Sequence, residues 1–294
     1  MSFSLLANEL VLLVIAYIPP SGIEAFTLID TRCHALSLPA LTMHLKHKHH
    51  AAAMHARFPH YPSPNYIGRN ALVEKGLLEQ GMLPNLEYLQ LNGDLHWLRA
   101  QTPEIAAEHI WERGRAASPE AVHKLIADAE RLGLMLPAGF ATFIGSQELV
   151  ERLHLGGNTI GLGELFKCTS EQDGGKGGHV VRFMCDRQDR SYWGLYTDTA
   201  GHSCVVHATD WSDFSCGCCV VEYPQTPVVH EAIAEADADL RFICVNAEWE
   251  EWMAGMYLDG WIWGTLWAGR EVVGREMEYV QYFGKPAQPR SQPS

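Results

Sequence analysis

The stretch "GGHVVRFMCDRQDRSYWGLYTDTAGHSCVV", residues 177–206, decides the fold class. Apolar runs at 180–185, 192–196 and 204–206 are separated by the turn-rich segments "CDRQDRS" and "TDTAGHS". Alternating side chains are typical of strands, and clusters of Gly, Asp and Ser are typical of turns. The stretch therefore predicts an antiparallel meander, and packing of its two faces explains the density of bulky and β-branched residues.

Helices are predicted on both sides of these strands. Ser118 can cap a helix that has Pro119 in its first turn and ends at Gly133, and Ser146 can cap a second, shorter helix. We expect the following residues of this region to be core: Val122, Leu125, Ile126, Ala129, Phe140 and Phe143. After the strands, Trp249, Trp252, Met253 and Met256 share one face of a further helix, with Asn246 as a possible cap. This region is therefore predicted to be α+β.

Composition and charge limit the class of partner. The chain has 294 residues, of which 47% are apolar, and a formal net charge of -13. Clustered Lys and Arg would be needed to neutralise a nucleic-acid backbone, so we expect no nucleic-acid partner. The apolar run at 10–18 is too short to span a bilayer and no cation precedes it, so we expect no membrane span and an intracellular, cytoplasmic or nuclear protein.

The N-terminal segment is predicted to be a pair of helices. Residues 5–18 are apolar at helical spacing until Pro19-Pro20 stops the helix. We expect the apolar residues of the second segment to pack on this helix: Ile23, Phe26, Leu28, Ile29, Leu36, Leu38 and Leu41.

The segment "LLANELVLLVIAYIPPSGIEAFTLIDTRCHAL", residues 5–36, resembles an F-box, the eukaryotic helical motif that docks on the Skp-type adaptor of cullin ubiquitin ligases. It departs from the family in having Ala7 where Pro is usual and in having no Trp after Leu41. The resemblance implies that the adaptor is contacted by Leu10, Leu13, Ile18 and Pro19. The alternative is an ordinary helix pair that caps the larger domain.

A second resemblance covers residues 118–267. The segments "LPAGFATFIGSQEL", "GGHVVRFMCDRQDRSYWGLYTDTAGHSCVV" and "RFICVNAEWEEWMAGMYLDGWIW" occur in the order found in the SUKH superfamily, which includes the yeast cell-wall-assembly regulator and bacterial toxin-immunity proteins. It implies an α+β domain with one curved, mostly antiparallel sheet flanked by helices, used to bind proteins. The resemblance does not indicate which residues of this chain form a partner-binding surface.

Several Cys and His residues are candidates for catalysis, metal binding or redox sensing. Cys204 lies between His202 and His207, but in a strand over 201–207 the two histidines would point to opposite faces. The group "CGCC" at 216–219 could bind a soft metal or sense redox state through Cys216, Cys218 and Cys219, or form a loop with idle thiols. The His-rich run at 44–64 fits a solvated helix end better than a closed zinc site. We predict no catalytic residue, cofactor or metal.

The C-terminal Trp cluster is the candidate target-binding surface. Core packing is the default for tryptophans, but exposed ones are good anchors for a partner protein, and Trp261, Trp263 and Trp267 lie in a Gly-interrupted segment. The predicted divisions are an F-box-like helical module at 1–48, a helical connector at 49–117, a SUKH-like α+β domain at 118–284 and a disordered tail at 285–294. We expect a non-enzymatic substrate adaptor for a ubiquitin ligase. The alternatives are a SUKH-type scaffold or regulator without that role, and a Cys/His-dependent enzyme or metal protein.

Overall fold

A computed structural model describes residues 7–18, 20–58, 73–75, 86, 91–99, 115–153, 158–186, 191–209, 242–267, 269 and 271. The helices in these ranges are α1 (Asn8–Tyr17), α2 (Pro20–Phe26), α3 (Thr31–Arg57), α4 (His96–Arg99), α5 (Pro119–Leu132), α6 (Phe140–Ile144), α7 (Gln147–Glu151), α8 (Ser170–Asp173) and α9 (Trp249–Trp267). The strands are β1 (Asn158–Ile160), β2 (Leu165–Lys167), β3 (His179–Asp186), β4 (Ser191–Thr197), β5 (Ser203–Thr209) and β6 (Ile243–Asn246).

The chain divides into two compact units. The first comprises Met1–Ala53 and Glu87–Gln90, and the second comprises Met54–Leu86 and Leu91–Ser294. The predicted boundary between residues 48 and 49 lies inside α3, which contains Pro39 and continues to Arg57. Its last turn belongs to the second unit.

The first unit is helical and has a small apolar core. Residues from α1, α2 and α3 form it: Val11, Ile15, Ile23, Phe26 and Cys33, with Val14, Ile18, Leu36, Ala40 and Leu41 packed around them. Asn8 and Arg32 tie α1 to α3, because Arg32 Nε donates to Asn8 Oδ1 at 2.7 Å.

Three residues that we expected in this core are exposed. Leu28, Ile29 and Leu38 face solvent, so the expectation that they pack on the first helix is wrong. For Leu28 and Ile29 the reason lies in the turn between α2 and α3, where Thr27 Oγ1 donates to the carbonyl of Glu24 and Asp30 Oδ1 accepts the amide of Cys33. These bonds end one helix and start the next, and they leave the two turn residues between them outside the core.

The second unit is α+β and contains the predicted antiparallel meander. Its six-stranded sheet has the order β1-β3-β4-β5-β6, and β2 also pairs with β3. Every strand pair is antiparallel. The turn segments at 187–190 lie outside the described residues, whereas Asp198–His202 forms a tight turn in which the amide of Asp198 donates to the carbonyl of His202.

The sheet is strongly curved. Strands are about 4.8 Å apart, so β2 and β6, four steps apart in the sheet, would be separated by about 19 Å if it were flat. Yet the ring of Phe166 on β2 stacks on that of Phe242, just before β6, with 6.1 Å between centroids. Cross-strand pairing places Phe166 opposite Val180, Val180 opposite Tyr196 and Tyr196 opposite Cys204. These four residues therefore lie on one face, which we call the concave face.

Aromatic side chains fill the opposite, convex face. Trp252 of α9 contacts Phe183 and Trp193 of the sheet, and Trp249 contacts Phe140 and Phe143 of α6. Trp249, Trp252 and Met253 are buried, as predicted for the core face of this helix, whereas Met256 is half-buried. Asn246 does not cap α9 as proposed: its Oδ1 accepts the amide of Glu248, one residue before the helix begins.

The predicted helix signals upstream of the sheet are confirmed. The Ser118 side chain accepts the amide of Ala121, Gly133 ends α5 in a left-handed conformation, and the Ser146 side chain accepts the amide of Leu149. Phe140 and Phe143 are fully buried.

A carboxylate also anchors the segment 91–99 to α9. Glu250 accepts the amide of Gly93 at 2.6 Å and the indole N–H of Trp97 at 2.9 Å. Burial raises the pKa of Glu250, although the hydrogen bonds from Trp97 and Gly93 oppose that change.

Of the helices in the described ranges, none combines the length and the apolar character needed to cross a bilayer.

The close approach of Gly178 to Tyr196 leads to a stability prediction. A Cβ at residue 178 would collide with the Tyr196 ring and hydroxyl, so Gly178→Ala should lower the free energy of unfolding by about 1–3 kcal/mol. Gly163→Ala is the control, because its added Cβ would make ordinary contacts with Arg182. Urea denaturation of both variants measures this. Equal stability of the two variants would contradict the described packing.

Candidate functional site

Exposed apolar side chains are concentrated in the first unit. Among the described residues, the large apolar side chains that face solvent are Leu10, Leu12, Leu28, Ile29, Leu38, Met43 and Met135. Only Met135 belongs to the second unit. We call Leu10, Leu12, Leu28 and Ile29 the apolar surface of the first unit. Large apolar side chains left in water are candidates for contact with a partner protein.

The sequence of α1 explains why apolar residues remain outside. Val11 and Ile15 lie in the core, while Leu10 and Leu12, one residue to either side of Val11, are rotated away from it by about 100° in opposite directions. The helix is therefore apolar on its outer face as well as its inner one. Helices that are apolar all round are usually covered on all sides.

The structure separates the predicted adaptor contacts by position. Leu10 is 49% exposed and available to a partner. Ile18 follows the last residue of α1, where its amide donates to the carbonyl of Ile15, and its side chain packs against the core. Leu13 lies in α1, three residues after Leu10, but its side chain and the whole of Pro19 lie outside the described residues.

Sequence reasoning missed Leu12, Leu28 and Ile29 as candidate contacts. Leu28 is the most exposed of the apolar surface, at 84%. The signal that could have found it is the Asp at position 30, since a helix cap there forces the two preceding residues into a turn.

The predicted Trp anchors are only partly described. Trp261 is half-buried and its ring lies against that of Tyr257, with 5.7 Å between centroids. Trp263 and Trp267 are in α9, and their side chains lie outside the described residues.

A buried polar network on the concave face is the second candidate site. Arg57 Nη1 donates to Asp198 Oδ2 at 2.7 Å and to the Tyr196 hydroxyl at 2.6 Å. The guanidinium also lies over the Tyr196 ring, and Phe58 packs edge-on against that ring at 4.9 Å. The side chains of Arg57 and Asp198 are only 9% and 4% exposed, so water screens the ion pair weakly.

Asp198 is held by its own turn as well as by Arg57. Its Oδ1 accepts the amides of Ala200 and His202, and its Oδ2 lies 3.1 Å from His202 Nδ1. Burial alone would raise the pKa of Asp198, but the hydrogen bonds from Arg57 and His202 outweigh it and hold that pKa below its usual value. The carboxylate is therefore ionised at neutral pH.

Asp173 closes the network from the other side. Its side chain accepts the amide of Lys176 at 3.0 Å and that of Gly178 at 2.6 Å, and the Tyr196 hydroxyl donates to it at 3.5 Å. Burial and the carboxylates of Asp173 and Asp198 raise the pKa of Tyr196, despite the nearby Arg57. The phenol thus stays neutral and can donate.

These contacts give the network a structural role. Arg57 and Asp198 neutralise each other, Tyr196 acts as both acceptor and donor, and Asp173 accepts two amides of the glycine-rich loop at 174–178. Buried charges are tolerated when they are paired and hydrogen-bonded in this way.

The Cys/His hypothesis finds no support in the contacts of these residues. Burial and the neighbouring Cys244 raise the pKa of the fully buried Cys204, which makes its thiol a poor nucleophile. His202 lies before β5 and contacts Asp198, while the ring of His207 packs against that of Trp193. In the described ranges no group of three or more His, Cys, Asp or Glu could hold a metal ion. Cys216, Cys218 and Cys219 lie outside those ranges.

No family model, no curated protein and no solved structure matches this chain.

The Arg57–Asp198 pair leads to a prediction for stability and its pH dependence. Asp198→Asn should lower the free energy of unfolding at neutral pH by about 3–5 kcal/mol, because it leaves a buried guanidinium without its counter-ion. The pKa of Asp198 is depressed in the folded state, so its contribution is complete above the unfolded pKa of about 3.9 and is lost as the pH falls further.

Urea denaturation from neutral to acidic pH measures both effects. The wild-type protein should lose more stability on acidification below about pH 4 than the Asp198→Asn variant does. Asp128→Asn is the control, because Asp128 pairs with exposed cations on α5 and should contribute less than about 1 kcal/mol. Equal losses in the two variants would contradict a buried, paired Asp198.

Proposed function

We propose that this chain is a non-enzymatic substrate adaptor of a cullin ubiquitin ligase. Its helical first unit, F-box-like in sequence, binds a Skp-type adaptor, and its α+β second unit, SUKH-like in sequence, binds a target protein. The chain acts by bringing the ligase and its substrate close together: the first unit recruits the ligase and the second unit holds the substrate. A cytoplasmic or nuclear location follows from these partners.

The observation that carries the proposal is the apolar surface of the first unit. Four large apolar side chains face solvent on a unit whose own core holds only a few residues. Burying apolar area contributes about 25 cal/mol per Å², so covering this surface makes a substantial favourable contribution to the free energy of binding a partner. Small helical units with such a surface are typical of modules that act by binding another protein.

The second unit supports a binding role in a different way. On its concave face Arg57, Asp198, Tyr196 and Asp173 are engaged with one another, and the thiols of Cys168 and Cys204 are buried. A curved antiparallel sheet with helices on the convex face agrees with the SUKH resemblance at the level of architecture. Trp261, half-buried on α9, is the described candidate for a target contact.

Co-purification with a Skp-type adaptor tests the proposal. The variant Leu10→Asp/Leu28→Asp should bind the adaptor at least about tenfold more weakly, because each charge is placed where apolar area would be buried. Both residues are exposed in the free chain, so the fold should survive, which circular dichroism and thermal unfolding would verify. Substitution of Ile18 would be less informative because it packs on the core.

Met135→Asp is the matched control. Met135 is as exposed as the tested residues but belongs to the second unit, so this variant should bind the adaptor like the wild type. Absence of binding by the folded wild-type chain at micromolar concentration would remove the ligase role. It would leave the SUKH-type scaffold or regulator as the function to test.

A further inference from the structure

Two fully buried thiols are neighbours on the concave face of the sheet. Cys204 and Val206 are two positions apart on β5, so their side chains point to the same face. Cys244 of β6 is the cross-strand partner of Val206, which makes it a diagonal neighbour of Cys204. Both cysteines are free thiols with no exposed surface. The sheet therefore brings together two thiols from distant parts of the sequence, and we call Cys204 and Cys244 the buried dithiol.

Hydrogen bonds make the two sulfurs of the buried dithiol unequal. The Cys204 thiol donates to Cys244 Sγ, and the amide of Asn246 donates to the same sulfur. These bonds, that from Cys204 above all, hold the pKa of Cys244 below its usual value although burial opposes them. Burial first, and then the bond that it donates, raise the pKa of Cys204. Cys244 is thus favoured as the thiolate, and Cys204 keeps its proton.

Cys168, another buried thiol on the concave face, lacks this activation. Burial and the carboxylate of Asp173 raise its pKa well above the usual value, despite the nearby charge of Arg57. The thiolate is the nucleophilic form of cysteine, so the surroundings favour reaction at Cys244 over reaction at Cys168.

A metal ion fits the buried dithiol less well than oxidation does. Structural zinc takes four ligands, and in the described ranges no third Cys, His, Asp or Glu lies where it could complete a site with this pair. A cysteine of low pKa beside a second, protonated cysteine is instead the arrangement of redox-active thiols, in which the second thiol resolves the oxidised form of the first.

We propose that the buried dithiol reacts with hydrogen peroxide and closes to a Cys204–Cys244 disulfide. The Cys244 thiolate attacks one peroxide oxygen, the O–O bond breaks, and the departing hydroxide takes up the proton that the Cys244 thiol released, which leaves a sulfenic acid and one water. The Cys204 sulfur then attacks the Cys244 sulfur, the S–O bond breaks, and the hydroxide leaves as water with the Cys204 proton. Two thiols thereby lose two electrons, and one peroxide is reduced to two waters.

The position of β6 in the sheet explains how the reaction reaches buried sulfurs. Among the described strands β6 pairs with β5 alone, it has four residues, and the register of the two strands shifts between Val205 and Val206. Diagonal neighbours have Cα atoms about 7–8 Å apart and a disulfide needs about 4.4–6.8 Å, so β6 must move toward β5 by on the order of 1 Å. A short terminal strand with an irregular ladder opens locally at low cost, which admits peroxide and permits this movement. We therefore expect slow oxidation, limited by the opening of β6.

Peptide mapping of the folded full chain after treatment with hydrogen peroxide tests the proposal. Free thiols are first alkylated under denaturing conditions, and chymotrypsin then cuts after Trp211 and Phe214, which separates Cys204 from the thiols at 216–219. The expected product is a peptide that contains Cys204 joined to one that contains Cys244, and it should disappear on treatment with dithiothreitol. Cys168 should remain reduced and alkylated.

Single substitutions separate the roles of the two sulfurs. Cys244→Ser should prevent any oxidation of Cys204, because it removes the nucleophile. Cys204→Ser should block the disulfide and leave a sulfenic acid at Cys244 that dimedone traps. Cys168→Ser is the matched control, since it removes a buried thiol of the same face and should leave the Cys204–Cys244 disulfide unchanged. Circular dichroism verifies that each variant is folded, and the mapping of the wild-type chain does not depend on them.

Three results would overturn the proposal. These are Cys204 and Cys244 that both stay reduced while other thiols of the chain oxidise, a disulfide that joins Cys244 to a different cysteine, and a disulfide that forms only when urea unfolds the chain. The proposal is independent of the ligase role. Leu10→Asp/Leu28→Asp should lose the Skp-type adaptor and still form the disulfide, so failure of one proposal leaves the other standing.

Discussion

The guanidinium of Arg57 is the group on which the concave side of the sheet depends. It faces the carboxylate of Asp198, the hydroxyl of Tyr196 and the aromatic face of the same tyrosine. Each contact compensates for removing a charge from water, and together they let Asp198 organise the β4–β5 turn while Tyr196 reaches Asp173. Loss of this one cation would leave a buried carboxylate unpaired and would disturb the turn, the tyrosine and the glycine-rich loop together.

The two faces of the sheet are packed by different kinds of side chain. On the convex face, large rings meet edge to face, as Phe140 does with Phe183 and Trp249. Such packing is apolar, and it leaves the indole N–H groups of Trp249 and Trp252 without a hydrogen-bond partner among the described residues. Each unpaired donor costs about 1–3 kcal/mol, which the area buried by each ring offsets. On the concave face, by contrast, the described polar network is paired.

Local signals predicted much of this architecture, and long-range contacts account for what they missed. Ser118, Gly133 and Ser146 act on neighbours within four residues, and strand alternation needs only adjacent positions, so the α+β region was accessible from sequence. The Arg57–Asp198 pair joins residues 141 positions apart, in a His-rich segment and a turn with no shared pattern. The exposure of Leu28 and Ile29 was missed because apolar type alone does not reveal which residues a turn excludes from a small core. The adaptor and target contacts remain predictions, since they depend on molecules that no intrachain pattern encodes.

The sequence separation of Arg57 and Asp198 also bears on how the protein is made. A ribosome adds roughly 5–20 residues per second, so on the order of 10 s pass between synthesis of Arg57 and synthesis of its counter-ion 141 positions later. About the same time passes between the synthesis of Phe58 and that of Tyr196, the residue on which its ring packs. During that interval the last turn of α3 carries a cation and an aromatic ring whose native neighbours do not yet exist. The nascent chain therefore passes through a stage in which this turn is open to chaperones and to misplaced contacts, and that stage ends only when β4 and the following turn have emerged.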